Sequence, residues 1–535
     1  MKPILHEVFM PLTNGLRLYN KILLPEESGK FPIVLIRTPY DRDPTKFPVD
    51  ADAEIHGQEA FLSHGYAVVI QHCRGTGGSD GDFLPYQDER ADGFECLDWL
   101  RTLPFYMGEI YLYGGSYLST VHLCILDKLP DDVKGACLEV QDCRQYNISY
   151  LNGFFKHGLH MSWVIHQFKK KTYDSTVPAF DFPDCIRKRP ISGLFGRLFG
   201  EGFPAHDIAL EHPDPDDPFW VESPYVNTQY HAMEKCRIPL LLIGGYYDIY
   251  ALGMREMWTQ LPPEIRSRCA IVYGPWSHGR AVPNTDIAMP NAKSGERKWG
   301  VEWFEHLRHG SETPLVQEGK VTYYRIGEGW KQSDLFPTGT DSLTLYPQKN
   351  GTLADSPSNG SFTYRYNPED PASFPGGSHS LGSNGGLMEQ PCPNFRPDVL
   401  SFLSAPLEES FTMEGCPEIT LDVSSDCDDT AVYARLDIVR NGHAWVIDDC
   451  IDSLRRGKGD YTPGERRKVT LKLDFSSWKF EPGDRIRMDV SSSNFPTFNA
   501  HTNTSELWCD AVQTVPAHNT VWLEGCKVDL PCAKK

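Results

Sequence analysis

Apolar residues fall into two rhythms along the chain, one after the other. As far as His309 they come as short unbroken runs: Phe31–Ile36 (FPIVLI), Gly65–Ile70 (GYAVVI), Glu109–Tyr113 (EIYLY), Val133–Val140, Pro239–Ile243 and Cys269–Tyr273. Such runs predict buried strands, and the helix-like stretches between them predict a largely parallel sheet with helices on both faces. Trp299–His309 reads as a closing helix. Beyond it the chain becomes rich in Gly, Ser, Pro and Thr, and apolar residues alternate with polar ones in EITLDVSS, AVYARLDIV, RKVTLKLDF and DRIRMDVSS. That period predicts half-buried antiparallel strands in a sandwich or jelly roll.

Between Cys143 and Cys236 the first rhythm is interrupted. Leu151–Lys171 (LNGFFKHGLHMSWVIHQFKKK) reads as an amphipathic helix, and the irregular passage EHPDPDDPFW follows. An insertion between sheet strands sits most economically above the sheet as a cap. There Trp163, Phe168, Phe219 and Trp220 either line a substrate cavity or pack the cap's own core. Asn367–Pro391 reads as a long connection across domains. The predicted organisation is an α/β catalytic domain in two pieces, 1–142 and 236–320, a helical cap at 143–235, and a β jelly roll at 321–535.

Composition narrows the field. A chain of 535 residues exceeds one ordinary hydrophobic core. Its net charge of −20 opposes binding to a polyanion, so no nucleic-acid partner is expected. The N-terminal MKPILHEVFMPLTNG lacks the pattern of a signal peptide, and no run approaches the roughly 18 apolar residues of a membrane span. The 15 cysteines are scattered and lack zinc-site spacing, which reads as free thiols in a reducing compartment. A cytoplasmic protein with no membrane partner is therefore expected; homo-oligomerisation is left open.

The chemistry centres on EIYLYGGSYLST. A strand runs into Gly114, Gly115 and Ser116, and a helix-like stretch follows. A tight strand-to-helix turn of this kind presents a serine hydroxyl at the carboxyl end of the sheet, as in α/β-hydrolases. Leu118 stands where the usual second glycine would be. A serine nucleophile needs a base, and the base an orienting carboxylate, each just past a later strand and acid before histidine. Asp248, after PLLLIGGYY, and His278, after CAIVYGPWS, meet that order.

The Tyr117 N–H is the first candidate oxyanion donor, and Tyr40, after FPIVLIRTP, is a candidate second one or a structural tyrosine. His72 and His122 read as structural, and His157, His160 and His166 have no clear carboxylate partner for metal binding. CRGTGGSDGDF lacks the Gly-Lys-Ser/Thr of a P-loop, so Arg74 is expected in an internal ion pair or hydrogen bonds. The mechanism calls for no cofactor and no metal.

The passages IRTPYDR, GYAVVIQHCRGTGGSDGDF, YGGSYLS, GGYYDIY and GPWSHG resemble the cocaine-esterase and X-Pro dipeptidyl-peptidase group of serine hydrolases. RPDVLSFLSAPLEE and FEPGDRIRMDVSSSNFPTFNAHTN resemble that group's C-terminal β domain, so the likeness spans nearly the whole chain. It implies an α/β-hydrolase core, an inserted helical cap and a jelly-roll (galactose-binding-like) domain. It also implies Ser116, Asp248 and His278 as triad, with the Tyr117 N–H and the Tyr40 hydroxyl as oxyanion hole. Two positions depart from the group: Ser119 replaces a glycine three residues after the serine, and His72 replaces the aspartate of a D-x-R-G loop.

The expected substrate is a small carboxylic ester or a short peptide. X-Pro cleavage or aminoacyl ester or amide hydrolysis would need carboxylates for a free amino terminus, and Glu211, Asp214, Asp216 and Asp217 are candidates. A non-catalytic protein binding a ligand through its β domain is the alternative of a different class.

Overall fold

The computed structural model describes residues 4–40, 58–160, 163, 187–200, 202, 204–223, 231–279, 282–293, 295, 297–380 and 385–533. His166 and Phe168 lie outside them.

The first sheet is built from β1 (Ile4–Pro11), β2 (Arg17–Leu24), β3 (Phe31–Thr38), β4 (Ala67–His72), β5 (Tyr106–Gly115) and β6 (Val133–Glu139). A small hairpin follows, β7 (Tyr150–Leu151) with β8 (Phe154–Phe155). The sheet then resumes with β9 (Leu240–Tyr247), β10 (Ala270–Ser277), β11 (Lys320–Arg325) and β12 (Gly329–Ser333). Its order is β1-β2-β4-β3-β5-β6-β9-β10-β11-β12. From β4 to β11 every pairing is parallel; β1, β2 and β12 join antiparallel at the edges. The six apolar runs in the sequence become strands of this sheet, and β3, β4 and β9 are buried at every position. Two-sided burial is why they lack polar alternation. The chain crosses from one side of the sheet to the other between β3 and β5, and such a switch point opens a crevice at the carboxyl ends of the strands.

Two boundaries differ from the expected ones. β11 pairs parallel to β10 from Ala270↔Lys320 to Tyr273↔Tyr323, and β12 returns against β11. The sheet therefore continues to Ser333, past residue 320, because burial against β10 outweighs the partly alternating look of these strands. The segment Leu151–Lys171 does not begin as a helix. Asn152 and Gly153 take positive φ values of 50° and 80° and turn β7 into β8, and helical residues start only at His157.

Phe219 and Trp220 pack with Tyr146, Tyr150, Phe155 and Trp508, so they build the cap's core. The C-terminal half is all-β. Antiparallel ladders such as Ala431–Arg440 with His443–Ser453, and Glu418–Ser425 with Arg467–Lys472, form its layers. One hydrophobic cluster runs from Leu240 and Ile271 of the first sheet to Leu436, Met488 and Val528 of this domain. The connection Asn367–Pro391 reaches the end of β10, with Gly386 beside Ser277.

Candidate active site

Ser116 sits at the end of β5 with φ 57° and ψ −129°, and the helix Tyr117–Leu123 starts at the next residue. A non-glycine residue held there costs about 1–3 kcal/mol, so the surroundings must hold the turn. Gly114 is required by space, because a Cβ there would lie 2.4 Å from the Leu118 carbonyl oxygen. The Ser116 N–H donates to the Glu139 carbonyl (2.9 Å), and the Ser116 carbonyl accepts from Gln141 Nε2 (3.0 Å).

Ser119 explains its own departure from glycine. Its buried hydroxyl lies 2.6 Å from the Gly114 carbonyl and 3.0 Å from that of Glu139, and it accepts the Glu139 N–H at 3.0 Å. The added side chain thus clamps the first turn of the helix to the ends of β5 and β6.

Asp248 and His278 follow β9 and β10, two parallel neighbours whose carboxyl ends emerge together. Asp248 is fully buried; its Oδ2 lies 2.9 Å from His278 Nδ1, and its Oδ1 accepts the Tyr250 N–H at 2.8 Å. The His278 side chain remains one-quarter exposed. With Nδ1 engaged by the carboxylate, the imidazole has Nε2 for proton exchange.

Tyr40, at the end of β3, brings its hydroxyl within hydrogen-bonding reach of the Ser116 hydroxyl and the Trp163 indole N–H. Burial raises the Tyr40 phenol above its ordinary range, which keeps it a donor. Trp163 also stacks on the Tyr117 ring, 5.9 Å between centroids, so this cap aromatic does border the serine.

Tyr117 contributes the first backbone N–H of the helix, while its side chain is anchored below. Its hydroxyl accepts the Tyr86 N–H (2.8 Å) and donates to Glu89 (3.1 Å). Burial pushes the Glu89 carboxyl up, and Arg37, 3.4 Å away, opposes that rise.

Three contributors were not singled out from sequence: Tyr250, Gln141 and the Glu89–Arg37 pair. Tyr250 brings its hydroxyl within interaction range of the Ser116 side chain and its ring to 5.5 Å from the His278 ring. Its only signal was position, two residues past Asp248 in GGYYDIY.

The other candidates lie elsewhere. Arg74 pairs with Asp92 (2.5 Å) and Asp88 (3.2 Å), and His72 packs beside Tyr19 and against Gly77, where a Cβ would lie 1.8 Å from its Nδ1. His122 is buried with Nε2 3.3 Å from the Tyr113 carbonyl; burial, then the Arg37 charge, lowers its pKa to about 3. His157 and His160 pack around Phe155 in the cap. Of the acidic cap residues, Asp217 binds His212 (2.7 Å), while Asp214 and Asp216 line a separate groove with Arg455, Arg456 and Glu506.

Behind Asp248 lies a polar cavity of about 430 Å³ between the two halves, lined by Lys156, His379, Asp448, Asp449 and Asp474 among others. His379, Asp448 and Asp449 bring donor atoms within 4.8 Å of one another, as a metal would require. Burial raises the Asp449 carboxyl above its ordinary range, with Tyr433, Arg435, Asn494 and Lys156 opposing that rise, while burial and then the Lys156 charge hold the His379 imidazole well below its own.

A serine on a strained turn, a histidine held by a buried carboxylate, and a phenol and helix N–H beside the serine together suit acyl transfer. Among the described residues no helix is long and apolar enough to cross a membrane, and the described cysteines are free thiols.

Comparison with known proteins agrees over most of the chain. The model for the X-Pro dipeptidyl-peptidase S15 family matches residues 14–280, and that for the X-Pro dipeptidyl-peptidase C-terminal non-catalytic domain matches 315–527. A cocaine esterase of Rhodococcus is 26% identical, with 95% of each chain covered. Among solved structures, an aminopeptidase from a marine-sediment Thaumarchaeota archaeon superposes with a TM-score of 0.83 at 19% identity, covering 99% of this chain and 96% of the other. An α-amino acid ester hydrolase gives 0.82 at 20% identity with the same coverage; both show the shared fold. Two catalytic halves of one sheet, a cap between them and an all-β domain behind place this chain in the S15 family of serine hydrolases, enzymes that cleave ester or peptide bonds.

Proposed function

We propose that the chain hydrolyses a small carboxylic ester through an acyl-enzyme on Ser116. His278 Nε2 takes the serine proton as Oγ attacks the carbonyl carbon, and Asp248 holds the imidazolium that results. The oxyanion is received by the Tyr117 N–H and the Tyr40 hydroxyl, whose oxygen is itself oriented by Trp163. His278 then gives its proton to the leaving alcohol and activates water for deacylation. Every step uses groups of the chain itself.

The observation that carries the preference for an ester is the lining around the nucleophile. The Tyr40 and Tyr250 hydroxyls reach toward Ser116, and beside them Trp163 stacks on Tyr117, whose ring in turn packs on Tyr86. Among the described residues, the carboxylates near this group are already engaged: Asp248 holds His278, and Glu89 serves Tyr117 and Arg37. A free amino terminus needs an unspent carboxylate, whereas an aromatic or apolar acyl group needs such a lining. The likeness to an enzyme named cocaine esterase points the same way.

Turnover of aryl-acyl esters, amino-acid esters and X-Pro amides, compared for wild type and Ser116→Ala, tests this. Aryl-acyl esters are expected to be cleaved with the highest kcat/KM, and Ser116→Ala to abolish that turnover. Wild-type turnover by Ser116→Ala removes the mechanism; preference for X-Pro amides removes the ester assignment.

A further inference from the structure

Two phenols reach Ser116, from opposite sides of its strand. β3, which delivers Tyr40, pairs with β5 on one side; β9, which delivers Tyr250, lies on the other side beyond β6. Tyr250 is fixed at two points, and its hydroxyl lies near the serine. Its N–H is held by Asp248 at 2.8 Å, its ring leans on the His278 imidazole at 5.5 Å and 55°, and its hydroxyl comes within interaction range of the Ser116 side chain.

We propose that the Tyr250 hydroxyl is a catalytic hydrogen-bond donor to the leaving-group oxygen of the ester, complementing Tyr40 at the carbonyl oxygen. The assignment rests on Ser116 as nucleophile and follows from the geometry of the tetrahedral intermediate. Besides Ser116 Oγ, the reacting carbon then carries the oxyanion and the leaving oxygen. The imidazolium that took the serine proton must reach the leaving oxygen, so that oxygen lies on the His278 side of the serine. Tyr250 touches both His278 and Ser116; Tyr40 approaches from the far side, with Trp163.

As the carbon–oxygen bond breaks, its electron pair goes to the leaving oxygen and His278 supplies the proton. Tyr250 keeps its own proton and contributes a hydrogen bond to the growing charge. Burial raises the phenol well above its usual range, so it remains a donor throughout. A poor leaving group accumulates more charge on that oxygen than a stabilised phenolate does. Tyr250 should therefore matter most for alkyl esters.

The test uses the full chain and two esters with one acyl group, ethyl phenylacetate and 4-nitrophenyl phenylacetate. Tyr250→Phe is expected to lower kcat/KM for the ethyl ester by about 10–100-fold and for the nitrophenyl ester by less than about threefold. Tyr40→Phe, as an oxyanion change, is expected to lower both to a similar extent, by about 100-fold or more. Equal losses for the two esters in Tyr250→Phe would reassign the hydroxyl to the oxyanion and overturn the proposal; so would no loss for either. Labelling by a fluorophosphonate, located by mass spectrometry, separates the two levels. A wild-type protein not labelled at Ser116 undoes the nucleophile assignment. A Tyr250→Phe protein labelled at Ser116 is folded, and its ester ratio then decides Tyr250 alone.

Discussion

Ser119 offers a direct measure of how firmly the nucleophile turn is held. Ser119→Ala removes one oxygen from a fully buried site, and with it the acceptor of the Glu139 N–H and the donor to the Gly114 and Glu139 carbonyls. Leaving a buried donor without its partner costs about 1–3 kcal/mol, and the simultaneous loss of the bond to Gly114 puts this change in the upper part of that range, about 2–3 kcal/mol. For a domain of this size each kcal/mol moves Tm by about 2–4 °C, so a fall of about 4–12 °C is expected. Calorimetric unfolding of the full chain reads this directly. The rate of fluorophosphonate labelling should fall as well, because the same clamp supports the positive φ of Ser116. A variant unfolding within 1 °C of wild type (roughly 0.5 kcal/mol or less), and labelled at the wild-type rate, would refute the clamp.

Two further changes probe charge. Asp248→Asn keeps the shape but loses the carboxylate facing His278 Nδ1; kcat should fall about 10³–10⁴-fold in stopped-flow acylation, and a loss under about tenfold would contradict the triad. Asp142 is buried and its pKa is raised to about 7, by burial first and then by Glu256. A raised folded-state pKa means that the stability tied to its proton is full below about pH 4 and lost as pH climbs through about 7. Asp142→Asn should therefore unfold later than wild type at pH 8 and alike at pH 4; equal Tm differences at both pH values would exclude this linkage.

What the sequence made legible follows from what its patterns encode. Two-sided burial writes itself as unbroken apolar runs, so β3, β4, β9 and β10 could be read, and with them the places where Ser116, Asp248 and His278 emerge. β11 and β12 could not be assigned, because KVTYYR and GWKQS mix apolar with polar residues and carry no sign of which sheet they join. The hairpin at Asn152–Gly153 was hidden in an apolar stretch whose turn dipeptide was outweighed by the helical spacing around it. Tyr250 lies within GGYYDIY, where spacing alone gives it no role. Its role depends on β9 lying across β6 from Ser116, which is a property of strand order and not of spacing. The cap carboxylates illustrate the reverse: neighbours in sequence, they part in space, with Asp214 and Asp216 lining a groove that does not include Ser116 and Asp217 held by His212.

The polar cavity behind Asp248 also bears on how this enzyme can be altered. One wall belongs to the hydrolase sheet and the other to the all-β domain, and Tyr247, next to Asp248, donates its hydroxyl to the Val446 carbonyl and so joins the two halves. Arg255 and Asp474 close a second link at 2.7 Å. The catalytic half is therefore no portable cassette. A chimera that borrows its β domain from a relative must inherit both faces of the seam together, or the contacts that keep Asp248 buried are lost.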